Sequence, residues 1–416
     1  MKKNVWMLNH YANMPGKGMG LRHFNLAKEL ARRGYRVHIF ASSAGHNTDF
    51  NAIDDGSAYR LETAEDVGVV YVRASNYIGN NLKRVKNILE YVFRLPRVAK
   101  AFAEAAKPDV IIASSMHPLT LFAGKRLAKK LKCDFCVEIR DLWPESLLNY
   151  YPNFNRLLMG AFRAAEKYIY TKARRVIFTM EGAYDYIRDR GWQDAIPPEK
   201  TAYINNGIDL ETFRRNRELY QLEDGDLRDG GIFKAVYTGS IRRTNAVGVL
   251  LETARLLQER GVEDVKLLIW GAGDEAEPLA RKAADMGLRN LVFKGLAPKE
   301  YVPFIVSSAD LNLLHQLDAG LAGAYKYGSS QNKKFDYLAA AKPVLCTVRT
   351  NYDLIEKEKA GISLEAQSPT AIAEAILHFR DLPAAEYAAY CERAYNAVLP
   401  FDFSKLADKL TAVIES

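Results

Sequence analysis

The segment "SSQNKKFDYLAAAKPV" (329–344) places Asn332, Lys333, Lys334 and Asp336 at the start of an apolar, helix-periodic run. Ser329, Ser330 or Asn332 can cap the helix, and Phe335, Leu338 and Ala339 form its inward stripe. Lysines in a first turn oppose the helix dipole, which favours anions there. A bound diphosphate would remove the conflict, because Lys333 and the free backbone N–H groups would hold it together. Asp336 lies off the apolar stripe.

Four other loops hold groups of the same kind. "YTGSIRRTNAV" (237–247) sets Gly239, Arg242 and Arg243 between an apolar strand and a helix. Arginine offers planar, always-charged donors that match phosphate oxygens, although both arginines also suit a solvated helix face. "WGAGDE" (270–275) is a glycine turn, Gly271 and Gly273, before an acidic helix start, a pattern that turn chemistry alone also explains. "EIRDLWPES" (138–146) ends a strand with Glu138, Arg140 and Asp141. Those charges can contact a substrate, or Asp141 can cap the next turn with Arg140 as its partner. "NHYANMPGKGMG" (9–20) carries Gly16, Gly18 and Gly20, which let a backbone approach an anion. Its GxGxG spacing, and a second strand ending "FASS" without an acid, argue against a dinucleotide site.

These loops follow strands. Apolar runs at 4–9, 36–42, 67–74, 109–115, 134–141 and 174–180 alternate with helical patterns such as 21–34. The alternation restarts at 233–240, 265–273, 291–296, 311–317, 343–348 and 361–364. Such alternation implies two doubly wound, mostly parallel α/β sheets, Rossmann-like, facing each other across a cleft. In open α/β sheets ligands bind at the carboxyl ends of the strands. The expected domains are 1–200 and 201–400, joined through "IPPEKTAYINNGIDLETF". The helical tail 401–416 can pack in either half, including back on the first.

At 416 residues the chain is long enough for two cores, and 48% hydrophobic residues suit a globular protein. The N-terminal apolar run is too short for a secretory signal, and no apolar run spans a bilayer, so a cytoplasmic protein is expected. "CDFC" (133–136) lacks a second pair or a nearby histidine and reads as buried thiols. No Asp-x-Asp pair at a strand end and no paired histidines mark a metal site, and none is expected. The net charge is +8. Part of it lies in "NNLKRVKNILEYVFRLPRVAKAFAEAAK" (80–107), a cationic amphipathic segment that can rest on an anionic membrane surface or pack its apolar face in the core. Aromatic and basic residues do not interleave on a strand platform, which speaks against nucleic acid.

The chain resembles family 4 glycosyltransferases over nearly its whole length. The resemblance rests on the order of the Gly-rich first loop with "LAKEL..RGYRVHIF", "NNGID" (205–209), "YTGSI", "WGAGDE", "FKGLAPKEYVPFIVSSADLNLL" (293–314) and "KFDYLAAAKPV" (334–344). "RDLWPES" and the last motif are similar to a bacterial surface-polysaccharide branch, that of N-acetyl-L-fucosaminyl transferases. The family usually has two acids separated by seven residues. The second falls on Asp336, which the resemblance makes the ribose ligand. The first falls on Gly328 and is absent. Arg242 matches the first of the usual phosphate-binding cations. The second falls on Asn245, and Lys333 can replace it.

The resemblance implies retaining, metal-independent transfer from a nucleotide sugar, with UDP as the expected nucleotide and an N-acetylated or deoxy sugar as the expected cargo. The implied donor residues are Gly18, Gly20, Gly239, Arg242, Gly271, Gly273, Leu296, Asn332, Lys333 and Asp336. Glu138, Arg140 and Asp141 would meet the acceptor, with Asp141, Arg242 and Lys333 catalytic. The expected acceptor is a polyprenyl-diphosphate-linked saccharide of O-antigen or capsule synthesis, met peripherally at the membrane. Two alternatives remain: a nucleotide-sugar 2-epimerase of the same fold and a non-catalytic sugar-binding homologue.

Overall fold

The computed structural model describes residues 2–17, 20–79, 81–115, 117–148, 155–317, 323–348 and 350–416. The chain divides into two units, Met1–Asn205 with Phe403–Ser416, and Asn206–Asp402.

The first unit holds one sheet of eight strands: β1 (Asn4–Leu8), β2 (Arg36–Ser42), β3 (Tyr59–Ala64), β4 (Val67–Val72), β5 (Val110–Ser114), β6 (Asp134–Ile139), β7 (Arg175–Phe178) and β8 (Thr201–Tyr203). Their order is β3-β4-β2-β1-β5-β6-β7-β8, parallel except for the β3–β4 pair. Central strands such as β4 and β5 are buried along their whole length, as continuous Val/Ile runs in a sheet covered on both faces should be. Trp6 packs on Phe40 at 4.6 Å and on Phe102 at 5.8 Å under one face. The C-terminal helix Phe403–Glu415 closes this unit. Arg33 bonds Asp408 at 2.7 Å, and Lys3 donates to the Ile414 carbonyl at 2.7 Å.

Two strands were not expected. β3 alternates half-buried and exposed residues and pairs only at the sheet edge. β8 is three residues long and lies inside the stretch read as a connector. That stretch then crosses into the helix Leu210–Leu219, where Asp209 caps Thr212 N at 2.8 Å.

The second unit holds β9 (Phe233–Thr238), β10 (Val265–Trp270), β11 (Leu291–Gly295), β12 (Leu311–Leu314), β13 (Val344–Cys346) and β14 (Gly361–Ser363). The order β11-β10-β9-β12-β13-β14 is wholly parallel. Winding reverses between β9 and β12, as it does between β1 and β5 in the first unit. Such reversals open the crevices where doubly wound sheets bind ligands. All four cysteines are free, and burial pushes the Cys346 thiol up to about 12.

Candidate functional sites at the two strand-order reversals

In the second unit the helix Asn332–Ala339 follows β12 and stands beside the end of β9. Its inward face buries Phe335, Tyr337 and Leu338, with Phe335 on Phe401 at 5.1 Å. The Tyr337 hydroxyl receives the Thr238 N–H at 2.9 Å and donates to the Thr238 carbonyl at 3.1 Å, locking helix to strand. Gln331, not a serine or Asn332, occupies the N-cap, and it makes no side-chain bond to the first turn. The expected caps are thus not used, because the serines lie before the helix begins. The Ser330 carbonyl instead accepts from Asn206.

This geometry places Lys333 Nζ 3.2 Å from the Tyr237 hydroxyl and 4.4 Å from its ring centre. Among the described residues no carboxylate pairs with it. Burial lowers its pKa to about 8. Gly239 lies against the ammonium: a Cβ there would stand 3.1 Å from Nζ, and φ is +146°. Gly271, with φ of +149°, packs on the same turn, where an added Cβ would fall 1.8 Å from the Gly239 carbonyl oxygen. Gly273 lies as closely on Ile241. Gly271 and Gly273 therefore weld two loops together and fix the shape of the crevice from behind.

Asn245 donates to the Ser240 carbonyl at 2.6 Å and to its hydroxyl at 2.7 Å, so this position is a loop clasp and not a cation. Arg242 is exposed at the start of the same turn, with no side-chain partner among the described residues. Asp336 is half-buried and has no hydrogen-bond partner among the described residues. Burial raises its pKa to about 6, against the pull of Lys299. Lys299 opens the 3-10 turn Lys299–Tyr301 after β11, and Leu296 in the loop before it is 76% exposed. Asn332 is exposed in the helix's first turn. The unit thus gathers two cations, an uncapped helix start and an unpartnered carboxylate at one reversal point. Cations and free N–H groups hold phosphate oxygens, and a carboxylate accepts from hydroxyls.

His315 was not foreseen. Its ring bonds Thr347 at 2.9 Å and the Ala246 carbonyl at 3.0 Å, and burial lowers its pKa to about 4. It ties the β12 end to the loop after β9.

In the first unit Glu138, expected to meet the acceptor, lies in a buried ion cluster. Its carboxylate is buried and fully engaged: Arg22 donates at 2.7 and 2.9 Å, His23 lies at 2.7 Å, and the Ser114 hydroxyl donates at 2.8 Å. Charge from Arg22 and His23 holds its pKa well below the ordinary value against the opposing effect of burial. Arg22 also donates to the Ile204 carbonyl at 2.8 Å and to that of Asn205, so the cluster anchors the chain where this unit ends. Arg22 and Ser114 thus hold the carboxylate inside this unit.

Arg140 and Asp141 follow β6. The Arg140 N–H donates to Ser115 at 3.0 Å, and Asp141 is exposed. A small cavity lined by Pro118, Leu121, Phe122 and Trp143 adjoins Asp141. Gly20 folds against the Tyr11 carbonyl, 2.3 Å from where a Cβ would sit, which explains the glycine by loop packing. Gly18 lies outside the described residues.

The main residues missed here are histidines. His10 follows β1 and His117 follows β5, and their rings meet at 2.8 Å across the reversal point. The two are 107 residues apart, and only the strand order joins them. Two histidines just past apolar strand ends were the available signal.

Residues 17–207 match the Glycosyl transferase 4-like domain, and residues 233–381 match Glycosyl transferases group 1. A comparison with curated proteins finds no match. Among solved structures, sucrose-phosphate synthase from Thermosynechococcus elongatus has a TM-score of 0.74 at 15% identity, covering 100% of this chain and 98% of that one. HepE from Anabaena in complex with UDP gives 0.68 at 13%, covering 99% of each chain. A trehalose-6-phosphate structure from E. coli bound with UDP-2-fluoro glucose gives 0.70 at 9%, covering 99% of each. These likenesses establish the fold shared with two-domain glycosyltransferases. With one glycosyltransferase domain matched in each half, the chain is a glycosyltransferase built from a 4-like and a group 1 domain.

Proposed function

We propose that the protein transfers a sugar, with retention of configuration and without a metal, from a UDP-linked donor to a lipid-linked saccharide of surface-polysaccharide synthesis. The carrying observation is Lys333, a desolvated ammonium with no carboxylate among the described residues, at the strand-order reversal of the group 1 unit. An anionic ligand is the partner that such a group lacks. UDP and UDP-2-fluoro glucose in the two fold neighbours support a nucleotide diphosphate.

In this reading Lys333, Arg242 and the N–H groups of the first helical turn hold the diphosphate. They stabilise the negative charge that grows on it as the glycosidic bond breaks. Asp336 accepts from the ribose hydroxyls, and Leu296 lies beside the base. The leaving phosphate helps to remove the acceptor proton, in a front-face displacement. Arg140 and Asp141 meet the acceptor. Gly328 stands where the family resemblance expects an acid, and its φ of +107° suits glycine. Its lack of a side chain favours an N-acetylated or deoxy sugar. The matched domains favour transfer over 2-epimerisation.

The helix Leu82–Ala106 supports the membrane part of the reading. Tyr91, Leu95, Val98 and Phe102 are buried on one side. Leu82, Val85, Leu89 and Phe93 are exposed on the opposite side, Phe93 by 76%. Lys83, Lys86, Arg94 and Arg97 flank that second stripe and are exposed. An apolar stripe with basic flanks fits an anionic lipid surface.

The test is thermal denaturation with UDP, GDP, UDP-glucose and UDP-N-acetylglucosamine. A ligand at about a hundred times its dissociation constant adds roughly 2.7 kcal/mol of stability. UDP and at least one UDP-sugar should raise Tm, GDP much less. A flat panel would overturn the donor site. Asp336→Ala should lose nucleotide binding and nearly all transfer while keeping its fold, and full activity would remove Asp336 from the site.

A further inference from the structure

The crevice between β1 and β5 contains a chain of hydrogen bonds whose proton positions can be deduced from one end. Asn87 Nδ2 donates to the Ser75 carbonyl at 2.8 Å. A carbonyl only accepts, so the nitrogen faces Ser75 and Oδ1 faces His10. Oδ1 is 2.7 Å from His10 Nε2, which must therefore carry a proton. Burial, with His117 and Arg84 nearby, holds the His10 pKa well below its ordinary value, so the ring is neutral. Its other nitrogen, Nδ1, is then a bare acceptor. His117 Nε2 lies 2.8 Å from it and has to donate. The Thr120 hydroxyl, 3.4 Å from the same nitrogen, can only be a weak second acceptor. His117 Nδ1 is left unprotonated, buried and without a donor among the described residues. The packing holds this order: the His10 ring lies between Tyr91 at 4.7 Å and Tyr11 at 4.4 Å, and Arg84 donates to the Tyr11 hydroxyl at 3.1 Å.

We propose that Asn87 and His10 are positioning residues that lock His117 in its Nε2–H tautomer, so that its Nδ1 accepts from a hydroxyl of the bound saccharide. The saccharide part rests on the transfer function proposed above, and the lock itself does not. A buried acceptor without a donor has lost its hydration with nothing in return, and a ligand hydroxyl at that nitrogen would offset the loss. A ligand lacking the hydroxyl would leave the penalty in place, so the lock selects as well as orients.

Histidine tautomers are read directly from long-range ¹H–¹⁵N spectra of ¹⁵N-histidine-labelled protein, with signals assigned through His10→Gln and His117→Gln. The free protein should show His117 as the Nε2–H form, and an Nδ1–H pattern would overturn the lock. Asn87→Asp should reverse it. A carboxylate favours the His10 imidazolium, whose Nδ1–H then donates to His117 and moves the His117 proton to Nδ1. If that variant does not fold, His10→Gln should leave His117 as a tautomer mixture. An unchanged His117 pattern in a folded variant would equally overturn the lock.

UDP-glucose, UDP-galactose and UDP-N-acetylglucosamine are then added, with binding checked by calorimetry. At least one should shift the His117 Nδ1 signal, and Asn87→Asp should weaken that sugar by roughly tenfold while UDP alone binds as before. If the sugars bind but none moves the signal, the saccharide role fails although the donor reading stands. If no nucleotide binds, the donor reading fails and the saccharide role with it, while the free-protein spectrum still decides the lock.

Discussion

Lys333 Nζ and the Tyr237 hydroxyl stand 3.2 Å apart, with the ammonium over the tyrosine ring and no carboxylate beside it among the described residues. An aromatic face steadies a cation without neutralising it. The charge remains available to a ligand, at the expense of the folded protein's stability.

Lys333→Gln should therefore separate binding from folding. Hydrogen bonds to charged groups are worth about 1.5–3 kcal/mol, so UDP affinity should fall by roughly one to two orders of magnitude. The unliganded variant should melt no lower than the parent. Calorimetric titration with UDP and a melting curve decide both points, and a lower Tm with unchanged affinity would reverse the assignment.

Donor binding should have a bell-shaped pH profile. It needs Asp336 ionised, above about 6, and Lys333 protonated, below about 8. UDP affinity should fall up to tenfold per pH unit beyond each limit. Stability has opposite signs at the two groups. Lys333's folded pKa is below the ordinary lysine value, so between about 8 and 10.4 the unfolded chain binds more protons and stability rises with pH. Asp336's folded pKa is above the ordinary carboxylate value, so from there up to about 6 the folded chain binds more protons and stability falls as pH rises. Lys333→Gln and Asp336→Asn should each flatten their own window in urea-denaturation series.

Gly239→Ala and Gly271→Ala should differ in kind. The first meets a side-chain tip at 3.1 Å that can move, so it should fold, lose about 1–3 kcal/mol through its backbone conformation, and weaken UDP binding by displacing Lys333. The second meets a carbonyl oxygen at 1.8 Å and should leave this unit unfolded. Circular dichroism and UDP titration distinguish the two cases.

Glu138→Gln should destabilise the first unit by about 3–5 kcal/mol, because Arg22 then loses its buried counter-charge. The loss should appear in denaturant midpoints with UDP affinity intact. If catalysis fell while stability held, Glu138 would belong to the reaction after all.

Phe93→Glu with Leu89→Glu should abolish co-sedimentation with anionic vesicles and leave UDP binding unchanged. Vesicles of neutral lipid should bind even the parent weakly. Equal binding of parent and variant to anionic vesicles would reject the stripe as the contact.

The two sheets were legible because continuous apolar strands alternate with helical periodicity. β3 was missed because an edge strand with half its residues exposed reads as a loop, and β8 because three residues carry no period. In the donor region, Lys333 stood out because its charge conflicts with its place in the helix. The Ser329 and Ser330 caps were wrong because the helix begins two residues later than the polar run suggests. Glu138 is ambiguous in sequence because a charge at a strand end looks the same whether it faces a ligand or a buried arginine. His10 and His117 each stand just past an apolar strand, a weak local signal, and only the strand order makes them neighbours.

Gly328 has a consequence for anyone who would rebuild this turn. Its φ of +107° lies where side chains are rarely accepted. A carboxylate introduced there would meet backbone strain before it met a ligand. The turn would have to be reshaped first, so backbone and side chain have to be redesigned together.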